Sequence, residues 1–166
     1  MTAGRIGMSG AILIVSGIVA LAMAQEHRTE AAPQHVVLTP DQLKWSDQMP
    51  PGLPAGGQMA VLEGDPAKGA FTVRLKAPAN FVIKPHFHSA GEHITVIEGT
   101  FYVGSGDTFE KTKATALPAG GFTAMPAGMR HFAFNDQPCV IQIHSDGPFD
   151  ITYVNAADDP RAAGTK

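Results

Sequence analysis

From residue 58 onward, apolar and polar positions alternate in short runs broken by Gly, Pro, Asn or Asp. The clearest run covers 70–76, where Phe71, Val73 and Leu75 share one face and Thr72, Arg74 and Lys76 the other. Residues 139–144 repeat the pattern, with Ile141 and Ile143 opposite Gln142 and His144. The same reading predicts strands at 58–63, 81–88, 92–97, 100–103, 115–117, 122–125, 131–134 and 151–154. Pro85 falls inside one of them and is expected at an edge or a bulge. Glu98-Gly99 reads as a hairpin turn between 92–97 and 100–103. Residues 104–113 are polar and predict a loop with a helical turn. No stretch carries a long helical period. Many short strands joined by turns predict an all-β sandwich or barrel at 58–155.

The N-terminal part has a different pattern. Arg5, an apolar run over 11–21 and the tripeptide Ala22-Met23-Ala24 predict a cleaved signal peptide at 1–24. The expected destination is the periplasm or the exterior, with no stable membrane span after processing. Residues 25–57 predict an arm and loop. Within them Thr39-Pro40-Asp41-Gln42 has the form of a short capped turn, and Trp45 and Met49 are expected to cover a hydrophobic edge. Residues 156–166 predict a tail.

Composition supports turns over helices, with 18 Gly and 13 Pro in 166 residues. A formal charge of −3 and the absence of a basic run exclude nucleic acid as an expected partner. The single cysteine excludes an intramolecular disulfide and a Cys-based zinc site.

The remaining signal is carried by histidine. His86 and His88 are two residues apart in a predicted strand, so both can face one metal ion. A bend at Ser89-Ala90-Gly91 brings Glu92, a further candidate ligand, to the start of the next strand. His131 begins a later strand just after Pro126-Ala127-Gly128. An isolated His-x-His on an edge strand is more often a pair of surface histidines. His93, next to Glu92, should face the other way. The pattern His86-x-His88-x3-Glu92-x6-Gly99 resembles the first motif of the cupin family. Gly120-x5-Pro126-x-Gly128-x2-His131-x3-Asn135 resembles the second. One departure is Asn80, where the family usually has Gly; Asn tolerates a left-handed backbone better than most residues.

The resemblance implies a single jelly-roll β-barrel preceded by an arm, a divalent transition metal inside it and, commonly, a homodimer. It assigns His86, His88, Glu92 and His131 as ligands of one Fe, Mn, Zn, Ni or Cu ion. Open positions on such an ion suit a small-molecule substrate or ligand. Glu92 could also serve as a catalytic base. Gln142 and His144 are substrate candidates if their face of the strand looks into the barrel mouth; the alternative is a solvated outer face. The fold family spans several chemistries. A metal-dependent, oxygenase-like enzyme, a binding protein without turnover and a barrel with a stabilising metal therefore all remain open.

Overall fold

The computed structural model describes residues 1–2 and 35–164. The expected leader and the first part of the arm lie, apart from residues 1 and 2, outside the described residues. Ten strands follow one another in the chain: β1 (Gln58–Gly64), β2 (Phe71–Ala77), β3 (Val82–Phe87), β4 (Glu92–Glu98), β5 (Thr100–Ser105), β6 (Thr115–Pro118), β7 (Phe122–Met125), β8 (His131–Phe134), β9 (Cys139–Ser145) and β10 (Thr152–Tyr153). They form two antiparallel five-stranded sheets, in the orders β1-β2-β9-β4-β7 and β10-β3-β8-β5-β6. The fold is all-β, with the sandwiched, barrel-like layout of a jelly roll, and among the described residues helix is limited to short 3-10 turns.

Alternation decides which side chains enter the space between the sheets. On β2, Phe71, Val73, Leu75 and Ala77 are buried, while Thr72 and Arg74 are half-buried and Lys76 is exposed. On β4, Glu92, Ile94 and Val96 point in, and His93 is exposed. β9 is buried on one side through Cys139, Ile141, Ile143 and Ser145. These residues, with Phe101, Phe81 and Ile83, make the core. Cys139 is a free, buried thiol, and burial pushes its pKa up to about 11.

Two local features differ from simple strand logic. Register slips on β3 between Ile83 and His86, at Pro85. Three residues apart, Ile83 and His86 would face opposite sides of a regular strand; the irregularity turns both inward. The second feature is a correction. Glu98-Gly99 does not close a hairpin, because β4 and β5 belong to different sheets. Gly99, at φ +76°, turns the chain from one sheet to the other, and a Cβ there would lie 2.7 Å from the Pro138 carbonyl oxygen. Asn80, the one described non-Gly residue with positive φ, adopts +62°.

The outer faces are covered differently. Outside β8, the Phe132 and Phe134 rings meet Phe109 edge-on at 5.1 and 5.7 Å. Phe109 belongs to the loop between β5 and β6, so that loop serves as a cover; its 3-10 turn is Lys111–Lys113. Tyr102 stacks on Phe134 at 4.7 Å. The arm holds to β1 through reciprocal backbone bonds of 2.9 Å between Ser46 and Met59. Lys76 lies over the Trp45 ring at 4.0 Å. The loop after it is tied to β10, where the Tyr153 hydroxyl donates to the Gly52 carbonyl at 2.7 Å.

Candidate metal centre

Three strands meet at one end of the barrel interior. β3 brings His86 and, just past its end, His88. β4 opens with Glu92, and β8 opens with His131, which pairs in register with His86. The exposed fractions of His86, His88, Glu92 and His131 are 2%, 8%, 8% and 2%, so the cluster is removed from bulk solvent. One ring nitrogen from each of the three histidines lies within 4.8 Å of the others. Ring centroids are 4.1 Å apart for His86–His131 and 4.9 Å for His86–His88. Glu92 Oε2 is 3.6 Å from both His88 Nε2 and His131 Nε2.

Hydrogen bonds orient all three imidazoles the same way. His86 Nδ1 donates to the Lys84 carbonyl at 2.7 Å, and His131 Nδ1 to the Met129 carbonyl at 2.9 Å. His88 Nδ1 donates to the Asp150 carbonyl. With the proton held on Nδ1, each Nε2 keeps its lone pair for a ligand bond. Asp150 is itself fixed, its carboxylate accepting from the Ser89 amide at 3.0 Å and the Ser89 hydroxyl at 3.0 Å.

The donor set fits a metal ion. His88 Nε2 is buried and has no hydrogen-bond partner, which is costly unless a cation or proton meets it. Two lone-pair nitrogens facing a carboxylate across 3.6 Å also repel unless positive charge lies between them. Metal bonds of about 2.1 Å place neighbouring ligand atoms roughly 3.0–3.4 Å apart, close to that spacing. Burial, with repulsion from His131 and His88 in their protonated forms, pushes His86 down to about 3. It is therefore neutral and able to bind a metal at neutral pH. Burial alone would raise the Glu92 carboxyl, but in the metal-free site positive charge on the facing imidazoles, with a hydrogen bond from His131, outweighs it and holds Glu92 below the usual range; a bound cation would act in the same sense.

The cluster faces a narrow, largely apolar interior cavity, with room for about one water. Apart from the three histidines and Glu92, its lining is apolar: Leu53, Leu75, Ile94, Phe101, Met125 and Phe149 are among the wall residues.

Gln142 and His144 are not brought to this cavity. They lie on the outer face of β9, while Ile141 and Ile143 line the interior. Gln142 accepts from Arg74 Nε at 3.2 Å. His144 is exposed and stacks on His93 with centroids 6.0 Å apart. Conversely, three contributors gave no sequence signal. Asp150 acts through its carbonyl, which every residue has. Leu53 and Phe149 are ordinary apolar residues, distant in sequence from the ligands they cover.

Comparison with known proteins agrees with this picture. Residues 33–150 match a family model described as the ChrR Cupin-like domain. Germin-like protein 8-11 of Oryza sativa subsp. japonica is 36% identical over 80 residues, a match covering 43% of this chain and 36% of the rice protein. This chain therefore matches only about a third of that relative's length. The polyketide cyclase RemF of Streptomyces resistomycificus superposes with a TM-score of 0.62 at 19% identity, covering 76% of this chain and 90% of that one. A putative acetylacetone dioxygenase of Methylibium petroleiphilum PM1 gives a TM-score of 0.59 at 17% identity, with coverage of 79% and 88%. At these identities the two structures speak for the fold.

Proposed function

As the chain belongs to the ChrR cupin-like domain family, we propose that it is an exported metal-dependent enzyme, oxygenase-like, acting on a small organic substrate. The observation that carries the reading is the convergence of three buried histidines whose Nδ1 protons are all engaged by backbone carbonyls, leaving Nε2 for a ligand bond. His86, His88, His131 and Glu92 would hold one divalent transition metal. Such an ion supplies Lewis acidity and positions for exchangeable ligands. The chain's own residues do the rest. The apolar walls exclude water and favour a substrate with a hydrocarbon body. Glu92, buried and ionised, would serve as the base only on leaving its ligand position, taking a proton from a substrate held beside it. Other polar wall groups are absent among the described lining residues, so a substrate's own oxygen atoms must bind at the metal position. Phenols and diketones have that chemistry, and the apolar walls must part to admit either.

The leader-like residues 1–24 support export, and N-terminal sequencing of the secreted protein tests it. Homodimer formation is part of the proposal and is tested by the mass of the protein in solution.

A second reading, a binding protein without turnover, is favoured by the narrowness of the cavity. Anaerobic loading with Fe(II), followed by oxygen uptake against a panel of phenols and diketones, separates the two. Substrate-dependent uptake lost in Glu92→Gln supports the enzyme. Tight substrate binding with no product for any loaded metal supports the binding protein.

A further inference from the structure

Phe149 lines the metal cavity and three neighbouring spaces. Its ring lies 5.8 Å from the His88 ring and 6.5 Å from Phe71. It forms part of the wall of the interior cavity. It also bounds a small space beside His88 and Glu92. A narrow apolar void shares Leu53, Leu75 and Ile143 with the interior. Next to that void lies a surface groove of about 520 Å3, lined by Met49, Pro50, Met59, Val61 and Pro66. The void and the groove have Pro50, Met59, Pro66 and Phe149 in common. Interior, void and groove are thus neighbours in a line, and Phe149 is the one residue that borders all three.

The backbone at this point is held on both sides. The Phe149 amide donates to the Pro66 carbonyl at 2.6 Å. The next residue, Asp150, is bonded to Ser89 and receives the His88 Nδ1 proton. Opening by movement of the whole segment would break the bond that orients His88. Rotation of the half-buried Phe149 ring would open the line and leave those bonds intact.

We propose that Phe149 is the specificity gate of the cavity, and that the groove outside it receives the apolar tail of a ligand whose oxygen-donor head reaches the three histidines. The ligand class is thus a chelating oxygen donor carrying an alkyl or aryl tail. The narrow interior leaves no room for the tail. Val61, 47% exposed, gives the groove an apolar surface that water would otherwise cover at a cost. This inference rests on the metal reading above.

The test uses the full protein loaded with Co(II), whose visible absorption reports ligand binding. Acetohydroxamic acid and octanohydroxamic acid have the same chelating head and differ in tail. The native protein is expected to bind the long-tailed probe at least about tenfold more tightly, given the apolar surface it covers. Val61→Glu should remove that preference and leave the short probe unchanged. Phe149→Ala should speed association of the short probe by about tenfold or more, as expected if the open rotamer is a minor state. Phe149→Leu keeps apolar packing and serves if the alanine variant does not fold. Equal affinity for both probes, or an unchanged association rate in the Phe149 variants, overturns the gate and leaves the metal reading standing. Failure to take up Co(II) overturns both.

Discussion

Gly104 is predicted to be the least replaceable small residue in the sheet behind the metal centre. It faces Phe132 across β5 and β8. A Cβ built on Gly104 would lie 2.1 Å from Phe132 Cζ and 2.6 and 2.7 Å from its two Cε atoms. Ordinary carbon–carbon contact is about 3.5–4.0 Å, so the ring tip must retreat by more than an ångström. It has little room to do so. Phe132 is 0% exposed, Phe109 packs edge-on against it, and His131 and Ala133 flank it on the strand. Overpacking of this kind costs about 1–3 kcal/mol, and weakening the Phe109 contact adds about 0.5–1.5. Lower chain entropy in the unfolded state returns about 0.4–1 kcal/mol. Gly104→Ala should therefore destabilise the fold by about 2 kcal/mol, read as a lower urea midpoint at unchanged m-value. In a Phe132→Leu background, where the ring is gone, the same change should cost less than about 0.5 kcal/mol. An equal cost in both backgrounds, or no cost in the native one, would refute the packing argument.

Acid should unfold the metal-free protein early. His86 sits near 3 in the fold and near 6.5 in the unfolded chain, so below pH 6.5 the unfolded state takes up a proton that the folded state refuses. The stability this residue protects is complete above pH 6.5 and falls as pH drops toward 3, by about 2 kcal/mol at pH 5. The lowered Glu92 carboxyl acts in the same direction at lower pH. Denaturant midpoints across that range should flatten in His86→Leu, and a slope equal to that of the native protein would count against the assignment. Asp150→Ala should weaken metal binding about 10–100-fold by releasing the segment that orients His88, with little change in the thermal midpoint of the metal-free protein. At Asn80, φ +62° predicts that Asn80→Gly stabilises slightly and Asn80→Ala costs about 1 kcal/mol, measured by the same denaturation assay.

Strand positions were legible in the sequence because most strands bury one face. The alternation of Phe71, Val73 and Leu75 with Thr72, Arg74 and Lys76 states that face directly. Glu98-Gly99 was misread as a hairpin because a tight turn reports a local change of direction and not a strand's partner. β4 instead pairs with β7 and β9, and β9 lies some forty residues farther along the chain. The histidines and Glu92 were legible because two fall on one strand face and the family spacing joins them to His131. Their orientation was not. It depends on three backbone carbonyls, one of them 62 residues from the imidazole it receives. The gate was equally silent, since Phe149 meets His88 only after β9 has returned the chain to the barrel mouth.

His86, His88, Glu92 and His131 are proposed to hold one metal ion. Elemental analysis of the protein purified from its native compartment, alongside His131→Ala, tests it most directly. About one equivalent of a transition metal per native chain, and none in the variant, is the predicted result. A native protein without stoichiometric metal, or a folded His131→Ala variant with unchanged metal content, would contradict it.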